Sequence, residues 1–261
     1  MLRKLLKHEF HATGRILLPI YGITVILSFV NRLFINIDSY NTAFKIIGTI
    51  MMISFILSIL ATCIVSFVLI VLRFYKNLMT DEGYLMFTLP VKPHQLINSK
   101  LISSVLWMIV SVIVVIVSLL ILLLNAERAV LIKDTWIAIL NSLKSYYGGK
   151  YILLIIEIIL ATIISLIQQI LLIYVSVAVG HLFTGHKVLG SFASYIVINT
   201  AVQLITLFIK FGWAHFSRIP IEELENLPHA ICLMIILLGT IYSISYYITT
   251  NYIFSKKLNL E

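Results

Sequence analysis

The sequence predicts an all-α, polytopic membrane protein with six transmembrane helices. Three observations carry that expectation. Of 261 residues, 61% are hydrophobic and only 11% charged, with a mean hydropathy of +1.06, whereas soluble domains carry about 25% charge. The apolar residues gather into six stretches, near 16–33, 46–72, 101–124, 151–179, 188–208 and 230–254. Each supplies the about 20 helical residues that cross a ~30 Å hydrocarbon core. Lipid offers no hydrogen bonds, so a spanning backbone must be helical to satisfy its own.

Residues 1–15 precede the first stretch. On a helix, Leu2, Leu5, Leu6, Phe10, Thr13 and Leu17 share one face, and Arg3, Lys4, Lys7, His8, His11 and Arg15 cover the other. That split suits an interfacial helix lying on the lipid headgroups, or a basic anchor that sets topology. Pro19 stands where such a chain must turn from lying flat to crossing. A basic start before an apolar run also resembles a signal peptide. Without a small-residue cleavage site, the expectation is an uncleaved first helix. The second and fourth stretches exceed the core thickness and must tilt, kink or protrude.

Orientation follows Lys and Arg near the helix ends. With the N-terminus inside, Arg3, Lys4, Lys7, Arg15, Arg73, Lys76, Lys92, Lys100, Lys187, Lys256 and Lys257 lie inside, against eight outside. Both termini are then cytoplasmic, with 73–100 and 180–187 facing in. The net charge of +8 reads as this topology signal. No basic stripe interleaved with aromatics suggests nucleic acid. The chain reads as one membrane domain, 1–261, without internal repeat or appended soluble domain.

Between the second and third stretches lies the polar segment 73–100. Thr80 suits a helix cap, with Asp81 and Glu82 in a first turn where acids complement the helix dipole. After Gly83, the residues Tyr84, Leu85, Met86 and Phe87 make an apolar knob, and Leu85 and Leu89 share a face. Pro90 ends the helix and Pro93 suits the first turn of the next. A short helix with apolar crown and acidic base fits a groove on a soluble partner. A second interfacial helix is the other reading, although anionic lipid disfavours the acids.

No catalytic set is expected. Gly180-His-Leu-Phe-Thr-Gly185-His186-Lys187 places His where a phosphate loop needs Lys, so its glycines are read as shaping a turn. His8 and His11 are three apart, not the four of a helical zinc pair. Cys63 and Cys232 read as small core residues, not a disulfide or metal site. Inside the spans, Glu157 lies two turns into the fourth. It faces either the protein interior or a water path, or it sits shallowly at headgroup depth. Gln168 and Gln169 fall mid-span, and Asn199 and Gln203 share a face of the fifth. Interhelical hydrogen bonding is the plainer reading for these, and a polar substrate path the functional one. The outward loop 210–229 carries Trp213, Phe216, Pro220, Pro228 and the acids Glu222, Glu223 and Glu225. It is read either as short helices at the outer surface or as a solvated loop.

The start Met1-Leu-Arg-Lys-Leu-Leu-Lys-His-Glu-Phe, running through Gly14-Arg15, is similar to the opening helix of bacterial ABC-2 type permeases. So is Asp81-Glu-Gly-Tyr-Leu-Met-Phe-Thr-Leu-Pro90 followed by His94-Gln95-Leu96 and Ser99-Lys100. Lys92 departs from the Ser or Thr that often caps the third helix there. The resemblance covers essentially the whole chain. It implies a half-transporter in the bacterial cytoplasmic membrane, paired with a second permease chain, identical or related. Two copies of a separate ABC ATP-binding subunit would bind ATP and Mg, so this chain would be no enzyme and carry no cofactor. Residues Asp81–Leu89 would be the coupling helix that docks on the ATPase. Within the family the chain resembles small permeases that export amphipathic or antimicrobial peptides, phenol-soluble modulin exporters among them. An immunity permease clearing toxic peptides, or an ion-coupled carrier using Glu157, are the alternative readings.

Overall fold

The computed structural model describes residues 2–35, 42–79, 92–123, 126–183, 186–216 and 227–256. Among them every regular element is helical: α1 Leu2–Ile35, α2 Thr42–Met79, α3 Pro93–Leu123, α4 Ala126–Tyr147, a 3-10 turn Gly148–Lys150, α5 Tyr151–Gly180, α6 Lys187–Phe216 and α7 Leu227–Lys256. Among the described residues, six stretches are long and apolar enough to cross a membrane, the fourth of them running Ala129–Gly180. They match the six read from sequence, in α1, α2, α3, α5, α6 and α7. The chain divides into two compact units, Met1–Arg73 with Asn98–Trp136, and Phe74–Ile97 with Ile137–Glu261.

In the first unit α1 buries one stripe: Glu9, Thr13, Leu17, Tyr21, Thr24, Ser28 and Asn31. Steps of three and four residues keep these positions on one helical face. The contacts along the stripe fix helix direction. Asn31 Nδ2 donates to the Met51 carbonyl, Thr24 meets Thr62, Tyr21 meets Ser66 and Glu9 meets Arg73. Numbers rise on α1 as they fall on α2, so the two are antiparallel. Glu9 with Lys100, Tyr21 with Ser111 and Arg32 with the Ile121 carbonyl run the other way, so α3 is parallel to α1. Leu17, Tyr21 and Trp107 form the apolar centre, with Phe10, Val65 and Leu69 against them. Hydroxyls enter this apolar setting because the helix can satisfy them. Thr13, Thr24, Thr62, Ser66 and Ser111 each donate to the carbonyl four residues earlier, which removes the cost of an unmet donor.

In the second unit α5 packs against α6 and α7. Glu157 meets His229 near the starts of α5 and α7. Further along, a side chain at Gly239 would press on Ile164 and Gln168. Both numbers rise together, so α5 and α7 are parallel. At the far end of α5 a Cβ on Gly180 would overlap the backbone of Ser191. Glycine there lets α5 and α6 meet backbone to backbone, rather than bending the turn as the sequence suggested. Gly148, at φ +55°, occupies the left-handed region that favours glycine and separates α4 from α5.

Several expectations change. No helix break marks Pro19: α1 runs through it. Its ring lies on an exposed face, and the loss of one backbone hydrogen bond is carried by the neighbouring turns. Arg3, Lys4, Lys7, His8, His11 and Arg15 are exposed, Phe10 is half-buried, and Thr13 and Leu17 are buried. The apolar side, however, packs on protein, with Phe10 6.1 Å from Trp107 ring to ring. The segment 126–147, between the third and fourth apolar stretches, is the helix α4. Of loop 210–229, residues up to Phe216 extend α6 and those from Leu227 open α7, while 217–226 lie outside the described residues. Cys63 is exposed, not core, and both cysteines are free.

Candidate functional site

The residues expected to form a docking helix, Thr80, Asp81, Glu82, Gly83, Tyr84, Leu85, Met86, Phe87 and Leu89, lie outside the described residues. Their flanks are described. α2 continues as helix to Met79, and Pro93 opens α3, as its fixed φ favours. The Lys92 carbonyl accepts from the Gln95 amide at 2.9 Å, so the first turn closes without a Ser or Thr cap.

Each flank is anchored. In the first unit, Glu9 Oε2 accepts from Arg73 Nη1 at 2.9 Å and Oε1 from Lys100 Nζ at 2.8 Å. Lys100 also reaches the Arg73 carbonyl at 3.4 Å. Glu9 is 5% exposed and Lys100 3%. Burying one of these charges alone would cost several kcal/mol, and the opposite charges and hydrogen bonds offset that. In the second unit, Phe74 stacks on Tyr174 with centroids 3.7 Å apart and planes 8° from parallel. The Phe254 ring lies 5.8 Å from that of Phe74, tilted by 59°, and Tyr75 lies 5.9 Å from the His181 ring.

Glu157 is 9% exposed. Its Oε2 lies 2.8 Å from His229 Nδ1, and the Tyr147 ring stands edge-on to His229 at 6.2 Å. His229 is in the first turn of α7, and Tyr147 comes just before α5. The carboxylate therefore lies within two turns of the start of α5, facing the first turn of α7. His229 Nε2 is buried with no hydrogen-bond partner among the described residues.

The remaining polar candidates do not converge with Glu157. Gln168 is eleven residues along α5, about 16 Å at 1.5 Å per residue, and sits against Gly239 of α7. Gln169 and Gln203 are exposed and Asn199 is half-buried. Near them, Thr206 and Tyr242 join α6 to α7 at 3.2 Å. Of the basic residues on 1–15, Arg3, Lys4, Lys7 and Arg15 stay exposed. No group of three or more His, Cys, Asp or Glu that could hold a metal occurs among the described residues.

Sequence reading missed the partners. Glu9 is the one acid before Asp38, and it lies four residues from Thr13 on the apolar face rather than among the cations. That placement was the available signal for a buried ion pair. His229 had none, because its pairing with Glu157 depends on α5 and α7 being parallel. No protein-family model, curated protein or solved structure matches the chain.

Proposed function

We propose that the chain is the permease subunit of an ATP-driven ABC exporter. It moves a hydrophobic or amphipathic substrate, a peptide by preference, out across the bacterial cytoplasmic membrane. Both termini are cytoplasmic, and the basic face of residues 1–15 lies toward anionic lipid. Two such chains, identical or related, pair and rest on two ATP-binding subunits, which hold the ATP and Mg.

The observation that carries this reading is the length of the two helices bracketing 80–91. α2 has 38 residues and α3 has 31, about 57 and 46 Å of helix against a ~30 Å core. Both therefore continue beyond the lipid as rigid helix. A docking segment carried between two rigid helices can pass movement into the membrane, whereas a segment on flexible linkers cannot. The motif Asp81–Pro90 and its resemblance to ABC-2 permeases name the partner. An immunity permease clearing toxic peptides would be built alike.

The experiment is to isolate the complex from native membranes on a tag at Glu261 and measure vanadate-sensitive ATPase activity. A co-purifying ATPase whose binding or coupling is lost in Glu82→Arg and in Phe87→Ala is the expected result. Normal binding and transport in both variants would sink the docking role of 80–91. A chain that carries no ATPase, in a detergent shown to preserve complexes, would favour an ion-coupled carrier. The Glu157–His229 pair is the observation that supports that second reading.

A further inference from the structure

We infer that Glu9 is a positioning residue, through which movement of α2 at Arg73 and of α3 at Lys100 is passed to α1. The inference rests on the permease reading. Arg73 lies in α2, six residues before its end at Met79, and Lys100 lies in α3, seven residues after its start at Pro93. Each cation binds its own oxygen of the Glu9 carboxylate, at 2.9 and 2.8 Å. One buried side chain of α1 thus holds both α2 and α3. Neither helix can shift there relative to α1 without carrying α1 along or breaking a charged hydrogen bond in a buried setting.

The chemistry points beyond packing. Buried ion pairs are poor stabilisers, since apolar side chains of similar volume hold helices as well or better. The same stripe of α1 has such residues at Leu17 and Tyr21. What a carboxylate with a cation on each oxygen adds is direction, because its bonds tolerate only small displacement. A merely structural role predicts that apolar replacements restore everything. A transmitting role predicts that they restore stability alone. Spatial intermediacy does not establish coupling, so the test must read the movement of α1 itself.

The test uses the whole complex, with Cys63 and Cys232 replaced by Ser and a reporter thiol at Leu33→Cys. Leu33 is exposed near the far end of α1 from Glu9. Trapping with ATP and vanadate is expected to change the maleimide labelling rate of that thiol by about threefold or more, as a coupled two-state element should. In the apolar triple variant Glu9→Met, Arg73→Leu, Lys100→Met, membrane abundance and ATPase activity are expected to hold while the labelling change disappears. Glu9→Asp keeps the charge but is one methylene short of spanning both cations. It is expected to reduce the change, and it decides the matter if the triple variant fails to accumulate. No labelling change without substitution at Glu9, or a full change in the variants, overturns the role of Glu9. Absence of any co-purified ATPase overturns the permease reading instead.

Discussion

The Tyr21 hydroxyl sits at the meeting of three helices. It lies 2.6 Å from Ser111 Oγ and 3.4 Å from Ser66 Oγ, while Ser111 and Ser66 are 2.8 Å from each other. Tyr21→Phe removes one member but leaves the serines bonded to each other. Hydrogen bonds between helices in membranes contribute modestly, so the expected loss is about 0.5–1.5 kcal/mol. Unfolding in mixed micelles should show it, and a loss several times larger would mean that the ring, not the hydroxyl, had moved. Glu157→Gln separates mechanisms instead. Glutamine can still hydrogen-bond His229, so an ATP-driven exporter should keep transport within about twofold, whereas a carrier that moves protons on this carboxylate should lose it. At this scale the sequence disclosed which side chains were unusual and little about what they touch. Glu157 stood out as an acid at membrane depth. Glu9 did not, because an acid with six cations and histidines near it in sequence reads as solvated until the buried stripe of α1 is seen.

At the scale of elements, the spans were legible and their interruptions were not. Apolar runs of twenty or more residues leave the backbone one solution in lipid, which is why all six spans appear where hydropathy placed them. Pro19 shows the limit. A proline within a helix lacks one donor, and only its surroundings decide whether the chain bends there. α4 shows another: 126–147 mixes apolar residues with Glu127, Arg128, Lys133, Asp134 and Lys144, and no single period dominates. Gly180 shows a third. The sequence placed it in a turn, whereas its requirement comes from the backbone of α6. Gly180→Ala should therefore cost roughly 1–3 kcal/mol, as overpacking does. Gly22→Ala is the contrast, since a Cβ there meets nothing within 4 Å and alanine raises helix propensity by up to about 1 kcal/mol. Thermal unfolding in one detergent should lower the midpoint of the first and hold or raise that of the second. Equal destabilisation of both would remove the argument that α5 and α6 meet through Gly180.

The order of crossings in the whole molecule turns on α4. Registers along the helices already alternate: α2 opposes α1, α3 follows α1, and α5 and α7 run together. Six crossings, an even number, would put both termini on one side. If α4 crossed as well, there would be seven and the termini would part. Its length of 22 residues permits a crossing, but its charges oppose one. Each Arg, Lys or Asp near the centre of a spanning helix costs about 2.5–3.5 kcal/mol, and α4 would carry several. Its large exposed side chains, Leu131, Trp136 and Ile137 among them, suit a helix lying at the outer headgroups, where Trp is at home. The measurement is thiol labelling of single cysteines in intact cells with a membrane-impermeant maleimide, in a background lacking Cys63 and Cys232. Ser142→Cys in α4 should label from outside, whereas Lys4→Cys and Ser255→Cys should label only after permeabilisation. Labelling of Ser255→Cys from outside, with Lys4→Cys protected, would mean that α4 crosses. The Lys and Arg bias that orients the chain would then have been misread from Lys133 onward. Labelling of both ends from outside would reverse the protein in the membrane and put 73–100 beyond the reach of any cytoplasmic ATPase.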